Sequence, residues 1–205
     1  MGKILNTLKK LIGRVDLTQV QIPSQSPTLL HISDTPSQFY PELSRILRTL
    51  KPTYIIHTGD LVDNVKLGLY PSALNRYGHE IKPLLRMLNA CDAKNIVFTM
   101  GNHDNLEHLL NNRGRIEIVN AVHFGVYDGC QIAAAHYATS LADLEADMYL
   151  YGHDTSKPSE EVDGHVFLNG IEHMHLIDLN TKKITKINYP IGTDSLRLNR
   201  HRVGL

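Results

Sequence analysis

Short apolar runs alternate with amphipathic stretches through the first half of the chain. The apolar runs, which are typical of buried strands in a parallel sheet, cover residues 28–33, 52–58 and 95–100. Apolar residues at helical spacing predict helices over residues 41–50, 70–89 and 106–111, and Gly78 and Pro83 could interrupt the second. This alternation of strands and helices predicts parallel strands joined by right-handed crossovers.

The second half of the chain has shorter apolar runs, and no helical pattern separates them. They predict strands over residues 116–119, 121–127, 131–135, 148–151, 165–168, 173–179 and 184–189. Tight turns such as Asp128-Gly129 join several of these segments, which favours hairpins. We therefore expect a more antiparallel second sheet within an α/β fold.

The two ends of the chain differ from the part between them. Residues 1–15 place apolar side chains on one helical face and basic side chains on the other. Such a helix would pack on its own domain or on a second copy in a homo-oligomer, and a membrane surface is the alternative. Residues 19–28, with Pro23 and Pro27, indicate a linker. We therefore divide the chain into a helix and linker, a folded domain and a basic tail, at residues 1–27, 28–190 and 191–205.

Charge and composition narrow the functional classes. The chain has 21 basic and 21 acidic residues, but residues 1–14 and 195–205 hold seven basic residues and no acidic ones. The part between them carries a net charge of about −7, which does not indicate a nucleic-acid surface. No apolar run is long enough for integral membrane association, and Lys9 and Lys10 interrupt any signal-peptide core. The two cysteines form no metal or redox motif, so we expect a cytoplasmic protein with reduced thiols.

Polar residues that suit a metal ion follow five of the predicted strands. They are Asp34, Asp60, Asn102-His103-Asp104, His136 and His153. In α/β sheets, ligands bind at the carboxyl ends of strands. Carboxylate and amide oxygens combined with imidazole nitrogens suit a divalent transition ion. Each acid alone could cap a turn, and each histidine alone could be an ordinary packed residue, but five such strand ends predict one site.

The order of these residues resembles the calcineurin-like metallophosphoesterases, and most of all their small bacterial and archaeal phosphodiesterase branch. Gly59-Asp60 and Gly101-Asn102-His103-Asp104 match two family motifs fully. His136 matches the single histidine that comes next, and Gly152-His153 matches the start of the last motif. The resemblance covers residues 29–189 and implies a four-layer αββα sandwich of two mixed sheets flanked by helices.

Two departures from the family pattern fall on the same metal position. Pro36 stands where the first motif has a histidine, and Thr155 stands where the last motif ends in one. The ligands that the resemblance implies for the other metal position are all present: Asp60, Asn102, His136 and His153. The resemblance therefore implies one tightly held ion and a weak second site, which keeps Asp34 and shares Asp60.

A neighbouring side chain could replace one of the lost ligands. His31 lies three positions before Asp34 on a strand and therefore points to the opposite face. His173 and His175 share one face of a strand, but the sequence does not place that face. Asp154 is next to the lost ligand and can bind a metal, so we expect Asp154 to be the substitute.

The resemblance implies hydrolysis of a phosphodiester or phosphomonoester. A metal-bound hydroxide would attack phosphorus, with Mn²⁺ expected first and Ni²⁺, Fe²⁺ or Zn²⁺ as alternatives. His103 would protonate the leaving oxygen, while Asp104 would hold its imidazole in the required tautomer, cap the following helix, or both. Because Pro36 and Thr155 lack imidazoles, the alternative is a non-catalytic metal-binding interaction module on the same fold.

Overall fold

Two facing β-sheets form the centre of the protein in a computed structural model, which describes residues 14–23 and 25–198. The first sheet contains β1 (Thr28–Ile32), β2 (Tyr54–His57), β3 (Asn95–Thr99), β4 (Glu117–Val119), β10 (Met174–Asp178) and β11 (Ile184–Ile187). Their spatial order is β11-β10-β1-β2-β3-β4. Strands β1 to β4 run parallel, whereas β10 is antiparallel to both β1 and β11.

The second sheet contains β5 (Val122–Tyr127), β6 (Cys130–Ala135), β7 (Met148–Tyr151), β8 (Glu160–Val162) and β9 (His165–Asn169). Their order is β5-β6-β7-β9-β8. The two outer pairs are antiparallel, but β6–β7 and β7–β9 are parallel. Our expectation of a more antiparallel sheet is therefore only partly right, and β4, β10 and β11, which we expected in it, belong to the first sheet. Residues 136–147 connect β6 to β7, and a connection of that length permits a parallel crossover.

The described residues contain four α-helices, namely α1 (Tyr40–Leu50), α2 (Leu74–Asn89), α3 (Leu106–Asn112) and α4 (Thr193–Arg197). The outer face of the first sheet is covered by α1, α2 and α3, whose Leu43, Ile81 and Leu109 share one buried cluster with Leu30 and Ile32 of β1. A short 3₁₀ helix, Ala138–Leu141, lies on the outer face of the second sheet. The expected α/β fold of two mixed sheets flanked by helices is confirmed.

Helix α2 runs without a break through both residues that could have interrupted it. A side chain at Gly78 would meet the ring of His108 at 2.8 Å, so glycine lets α2 and α3 approach closely. Pro83 lies on the exposed side of α2, where water can satisfy the carbonyl that loses its amide partner.

The side chains of β1 alternate between two buried layers. Leu30 and Ile32 face the helices, whereas Leu29 belongs to the cluster between the sheets, together with Val97 and Ile132. Strand β1 is thus buried on both faces. Because β1, β2 and β3 run parallel, their carboxyl ends lie along the same edge of the sheet.

Both ends of the described chain pack on the domain. The Val15 amide donates to the Glu42 carboxylate at 2.6 Å, and the rest of the amphipathic segment expected at residues 1–15 lies outside the described residues, apart from Arg14. Within the basic tail expected at residues 191–205, residues 193–197 form α4, in which Arg197 is buried. Across residues 14–23 and 25–198, helices capable of spanning a membrane are absent.

Candidate metal centre

The carboxyl ends of strands from both sheets meet at one edge of the sandwich. In the first sheet, the Asp34 amide donates to Gly59 O at 3.0 Å, which joins the loops after β1 and β2. In the second sheet, the Gly152 amide donates to His136 O at 3.1 Å, which joins the ends of β7 and β6. Side chains from these loops then contact one another across the gap between the sheets.

Three of the proposed ligands surround Nε2 of the fourth, His136. Nε2 lies 3.0 Å from Asn102 Oδ1, 3.1 Å from His153 Nδ1 and 3.5 Å from Asp60 Oδ2. One ligand atom each from Asp60, His136 and His153 can be chosen so that all three atoms lie within 4.8 Å of one another. The structure therefore brings together four residues that lie on four separate loops of the sequence.

The tautomer of His136 indicates that a cation fits among these atoms. Its Nδ1 lies 2.7 Å from the Thr58 carbonyl oxygen, which can only accept, so Nδ1 carries the hydrogen. In the neutral ring, Nε2 then presents a lone pair towards the Asn102 oxygen and the Asp60 carboxylate. A backbone carbonyl that fixes the far nitrogen is the usual arrangement for a metal-binding histidine. These donors therefore fit a divalent ion of intermediate hardness.

The acidic residues of the centre lie close together and are shielded from water. Burial raises the pKa of Asp60 well above its ordinary value, and the carboxylates of Asp34, Asp104 and Asp63 raise it further. The Asp34 carboxylate also accepts from the Ser33 hydroxyl at 2.5 Å and from the His153 amide at 3.1 Å. A bound cation would relieve the repulsion among these carboxylates.

The backbone is unusual at three of the five strand ends. Asp34, Asp60 and His153 have φ values of 49°, 55° and 67°, in the left-handed region that residues other than glycine seldom adopt. Strained residues of this kind cluster at functional sites, where surrounding contacts hold them. Gly101 is required for a different reason, because a Cβ there would collide with the Asp60 carboxylate.

His103 lies at the rim of the same cluster. Its amide donates to Asp60 Oδ1 at 2.8 Å, and its ring Nδ1 accepts from the Gly68 amide at 3.0 Å. Its Nε2 lies 3.1 Å from Asn102 Nδ2. Burial, followed by the charge of Lys66, lowers the pKa of His103 to about 4, so the ring is neutral in this arrangement.

Asp104 does not occupy the position that we expected from the sequence. Its carboxylate accepts from the backbone amides of Asp60, Leu61 and Gly101 at 2.8–2.9 Å, and from the Tyr77 hydroxyl at 3.1 Å. The expected contact with the imidazole of the preceding histidine is absent from the hydrogen bonds of the described residues.

The expected helix cap is also wrong, because the side chain of Asn105 caps α3. The Asp104 carboxylate is oriented towards the loop after β2, where the amides of Asp60 and Leu61 donate to it.

Asp154, the expected substitute ligand, binds a serine in its own loop. Its carboxylate accepts from the amide and the hydroxyl of Ser156, both at 2.8 Å, and these bonds lower the pKa of Asp154. Among the described residues, neither group of candidate ligand atoms includes Asp154 or Asp34. His31 lies between the sheets, where it contacts Thr58 at 3.0 Å.

Sequence reasoning missed two residues that border the centre. Asp63 forms a second group of candidate ligands with Asp60 and His103, and its side chain is buried. Tyr137 donates to Asn102 Oδ1 at 3.1 Å. Both residues could have been found from the sequence by their closeness to proposed ligands, because Asp63 lies three positions after Asp60 and Tyr137 directly follows His136.

Comparisons with known proteins concern the family pattern and the fold. The sequence model of the calcineurin-like phosphoesterases matches residues 27–123. An archaeal phosphodiesterase of solved structure has a TM-score of 0.57 at 20% identity, over 78% of this chain and 99% of its own. Yfce, a phosphoesterase from E. coli, has a TM-score of 0.52 at 14% identity, over 80% of this chain and 99% of its own. At these identities the two structures support the fold, and no curated protein sequence matched the chain.

Proposed function

We propose that this chain, which the sequence model of the calcineurin-like phosphoesterases matches over residues 27–123, hydrolyses a phosphodiester or a phosphomonoester in a metal-dependent reaction. The proposal rests on one observation, namely that possible metal-ligand atoms of Asn102, His153 and Asp60 surround His136 Nε2. Asp60, Asn102, His136 and His153 would hold one divalent ion there, with Mn²⁺ as our first choice. Such an ion supplies Lewis acidity and makes a water nucleophile available near neutral pH.

His103 is the residue that we propose to give a proton to the leaving oxygen. The Gly68 amide occupies Nδ1, so proton transfer falls to Nε2 on the side of Asn102. The protonated imidazole carries hydrogen on both nitrogens, so it would give up the bond from the Gly68 amide. An anionic phosphoester beside the ring would favour this protonated form and would oppose the effect of burial. General acid catalysis of this kind contributes about a hundred- to ten-thousandfold to the rate.

The test is hydrolysis of a panel of phosphodiesters and phosphomonoesters with Mn²⁺, Ni²⁺, Fe²⁺ or Zn²⁺ added. His103→Ala should lower turnover by at least about a hundredfold on substrates with poor leaving groups. Its metal content should stay close to that of the wild type, because His103 is not one of the four ligands. His79→Ala on the exposed side of α2 is the matched control. Unchanged turnover of His103→Ala would contradict the assignment.

A second function remains a candidate because two positions lack the family's imidazoles. Pro36 has no side-chain donor, and Thr155 offers only an exposed hydroxyl. A chain with one metal position could act as a non-catalytic metal-binding interaction module. Uniform inactivity on the panel, with an ion demonstrably bound, would favour this second function.

A further inference from the structure

The part of the site that lacks two imidazoles contains a buried ion pair. Asp63 follows the Asp60 turn, and its backbone amide donates to Thr35 O at 3.1 Å, next to Pro36. Its Oδ1 lies 2.5 Å from the Lys66 ammonium, while Oδ2 is buried with no hydrogen-bond partner among the described residues. Burial, followed by the charge of Asp34, raises the pKa of Asp63 to about 7, whereas Lys66 lowers it. Lys66 is thus a cation beside a group of buried carboxylates.

The loop that carries Lys66 is anchored on both sides. Before it, Asp63 is tied to the loop after β1, and after it, the Gly68 amide donates to the ring of His103. Lys66 itself has a φ of 52°, and its carbonyl accepts from the amides of Leu69 and Tyr70. The side chain of Lys66 is 18% exposed, so the ammonium lies within the site yet remains accessible to a ligand.

The Lys66 charge acts on residues on both sides of the centre. After burial, it is the largest of the effects that lower the pKa of His103. It also adds to burial and to His136 in lowering the pKa of His153. The geometry places the ammonium beside the centre, because it lies 2.5 Å from Asp63, which shares a group of candidate ligand atoms with Asp60 and His103.

We propose that the Lys66 ammonium takes the place of the second metal ion and binds a phosphoryl oxygen of the substrate. This inference rests on the proposed phosphoesterase function. An ammonium group has three N–H donors, and only one of them is used by Asp63. The remaining donors can contact phosphate oxygens, as lysine commonly does at phosphate sites. The chain would then need one divalent ion rather than two.

A divalent ion held by Asp60, Asp63 and His103 is the rival occupant, because their ligand atoms lie within 4.8 Å of one another. The two occupants predict different stoichiometries. With Lys66 as the cation, dialysed wild-type protein holds one Mn²⁺ ion per chain, and Asp63→Asn does not change that number. With a second ion, the wild type holds two, and Asp63→Asn loses one.

The test measures binding of inorganic phosphate to the Mn²⁺-loaded protein by titration calorimetry. Lys66→Met should weaken phosphate binding by about ten- to a hundredfold, which is the usual effect of losing a hydrogen bond to a charged group. Lys66→Arg keeps the charge and should recover most of the affinity. Lys82→Met, on the exposed side of α2, should bind phosphate like the wild type.

The double variant Asp63→Asn with Lys66→Met removes both charges of the ion pair. It should fold even if Lys66→Met alone does not, because no unpaired carboxylate is left buried. It should show the same loss of phosphate affinity.

Wild-type affinity in either variant, an absence of phosphate binding by the wild type, or two ions per chain that depend on Asp63 would overturn the inference. Phosphate binding that depends on Lys66 in a protein without hydrolytic activity would support it while contradicting the proposed function.

Discussion

The Asp104 carboxylate accepts a hydrogen bond from the backbone amide of Asp60 at 2.8 Å. The same carboxylate also binds the amides of Leu61 and Gly101, so it joins the loop after β2 to the loop after β3. Asp60 has a left-handed φ of 55°, which these bonds help to hold. Asp104 therefore positions Asp60, a proposed metal ligand, rather than the imidazole next to it in the sequence.

Asp104→Asn should weaken both the fold and the metal centre. An amide can no longer accept from all three backbone donors, so we expect a loss of about 1–3 kcal/mol in the free energy of unfolding. Metal affinity should fall as well, because Asp60 loses its support. Asp143→Asn, at an exposed position, is the control. If Asp104 instead served only to orient His103, activity would fall with unchanged stability and unchanged Mn²⁺ affinity.

Gly101→Ala should abolish tight metal binding. An added Cβ would collide with the Asp60 carboxylate and with its backbone amide, so Asp60 must move. Gly129→Ala in the β5–β6 turn is a useful comparison, because it meets open space but adopts an unfavourable φ of 85°. Both variants should lose stability in thermal unfolding, yet only Gly101→Ala should lose Mn²⁺ in equilibrium dialysis. Tight binding by Gly101→Ala would contradict the central role of Asp60.

Restoring the two missing imidazoles should create a second tight metal site. The double variant Pro36→His with Thr155→His should hold close to two ions per chain after dialysis, against one in the wild type, provided the turn at residue 36 tolerates the change. Each single variant should bind the second ion less tightly than the double variant. Asp154→Ala is expected to leave the wild-type count unchanged, because its carboxylate is bound to Ser156. A count of two in the wild type that falls in Asp154→Ala would restore Asp154 as a ligand.

The buried histidine pair between the sheets should make the fold sensitive to acid. Burial, followed by His173 and Lys186, lowers the pKa of His175 from 6.5 to about 3, and its partner His31 lies 3.3 Å away. The folded state therefore binds fewer protons than the unfolded state in this range. The neutral His175 ring therefore makes its full contribution to the free energy of unfolding above pH 6.5. This contribution is lost as the pH falls towards about 3, by at most about 1.4 kcal/mol per pH unit.

His175→Gln should lessen this loss. The measurement is the difference in unfolding free energy between wild type and variant at several pH values from 7 down to about 4. The buried carboxylates affect both proteins alike, so their effects cancel in this difference. The variant should become relatively more stable as the pH falls. A difference that does not vary with pH would show that His175 does not titrate on unfolding.

The sequence by itself determined the α/β character, most strand and helix positions and the residues at the strand ends. These features depend on local order, namely apolar periodicity within an element and polar residues directly after it. The pairing of β6 with β7 in parallel, and the return of β10 and β11 to the first sheet, depend on partners distant in the chain. Periodicity shows which face of a strand is buried, but it does not show which strand lies beside it.

Only the tertiary structure decided where the acidic side chains of the site point. Asp104 and Asp154 are next to histidines in the sequence, yet one binds the amides of a distant loop and the other binds a serine two residues away. Backbone amides and hydroxyls that need an acceptor compete for each carboxylate, and the carboxylate binds the donor that lies nearest in space. The same competition brings Asp63 and Lys66 into the site, because the loop that holds them folds back onto His103. The orientations of these side chains depend on distances between loops. The spacing of residues along the chain does not give those distances.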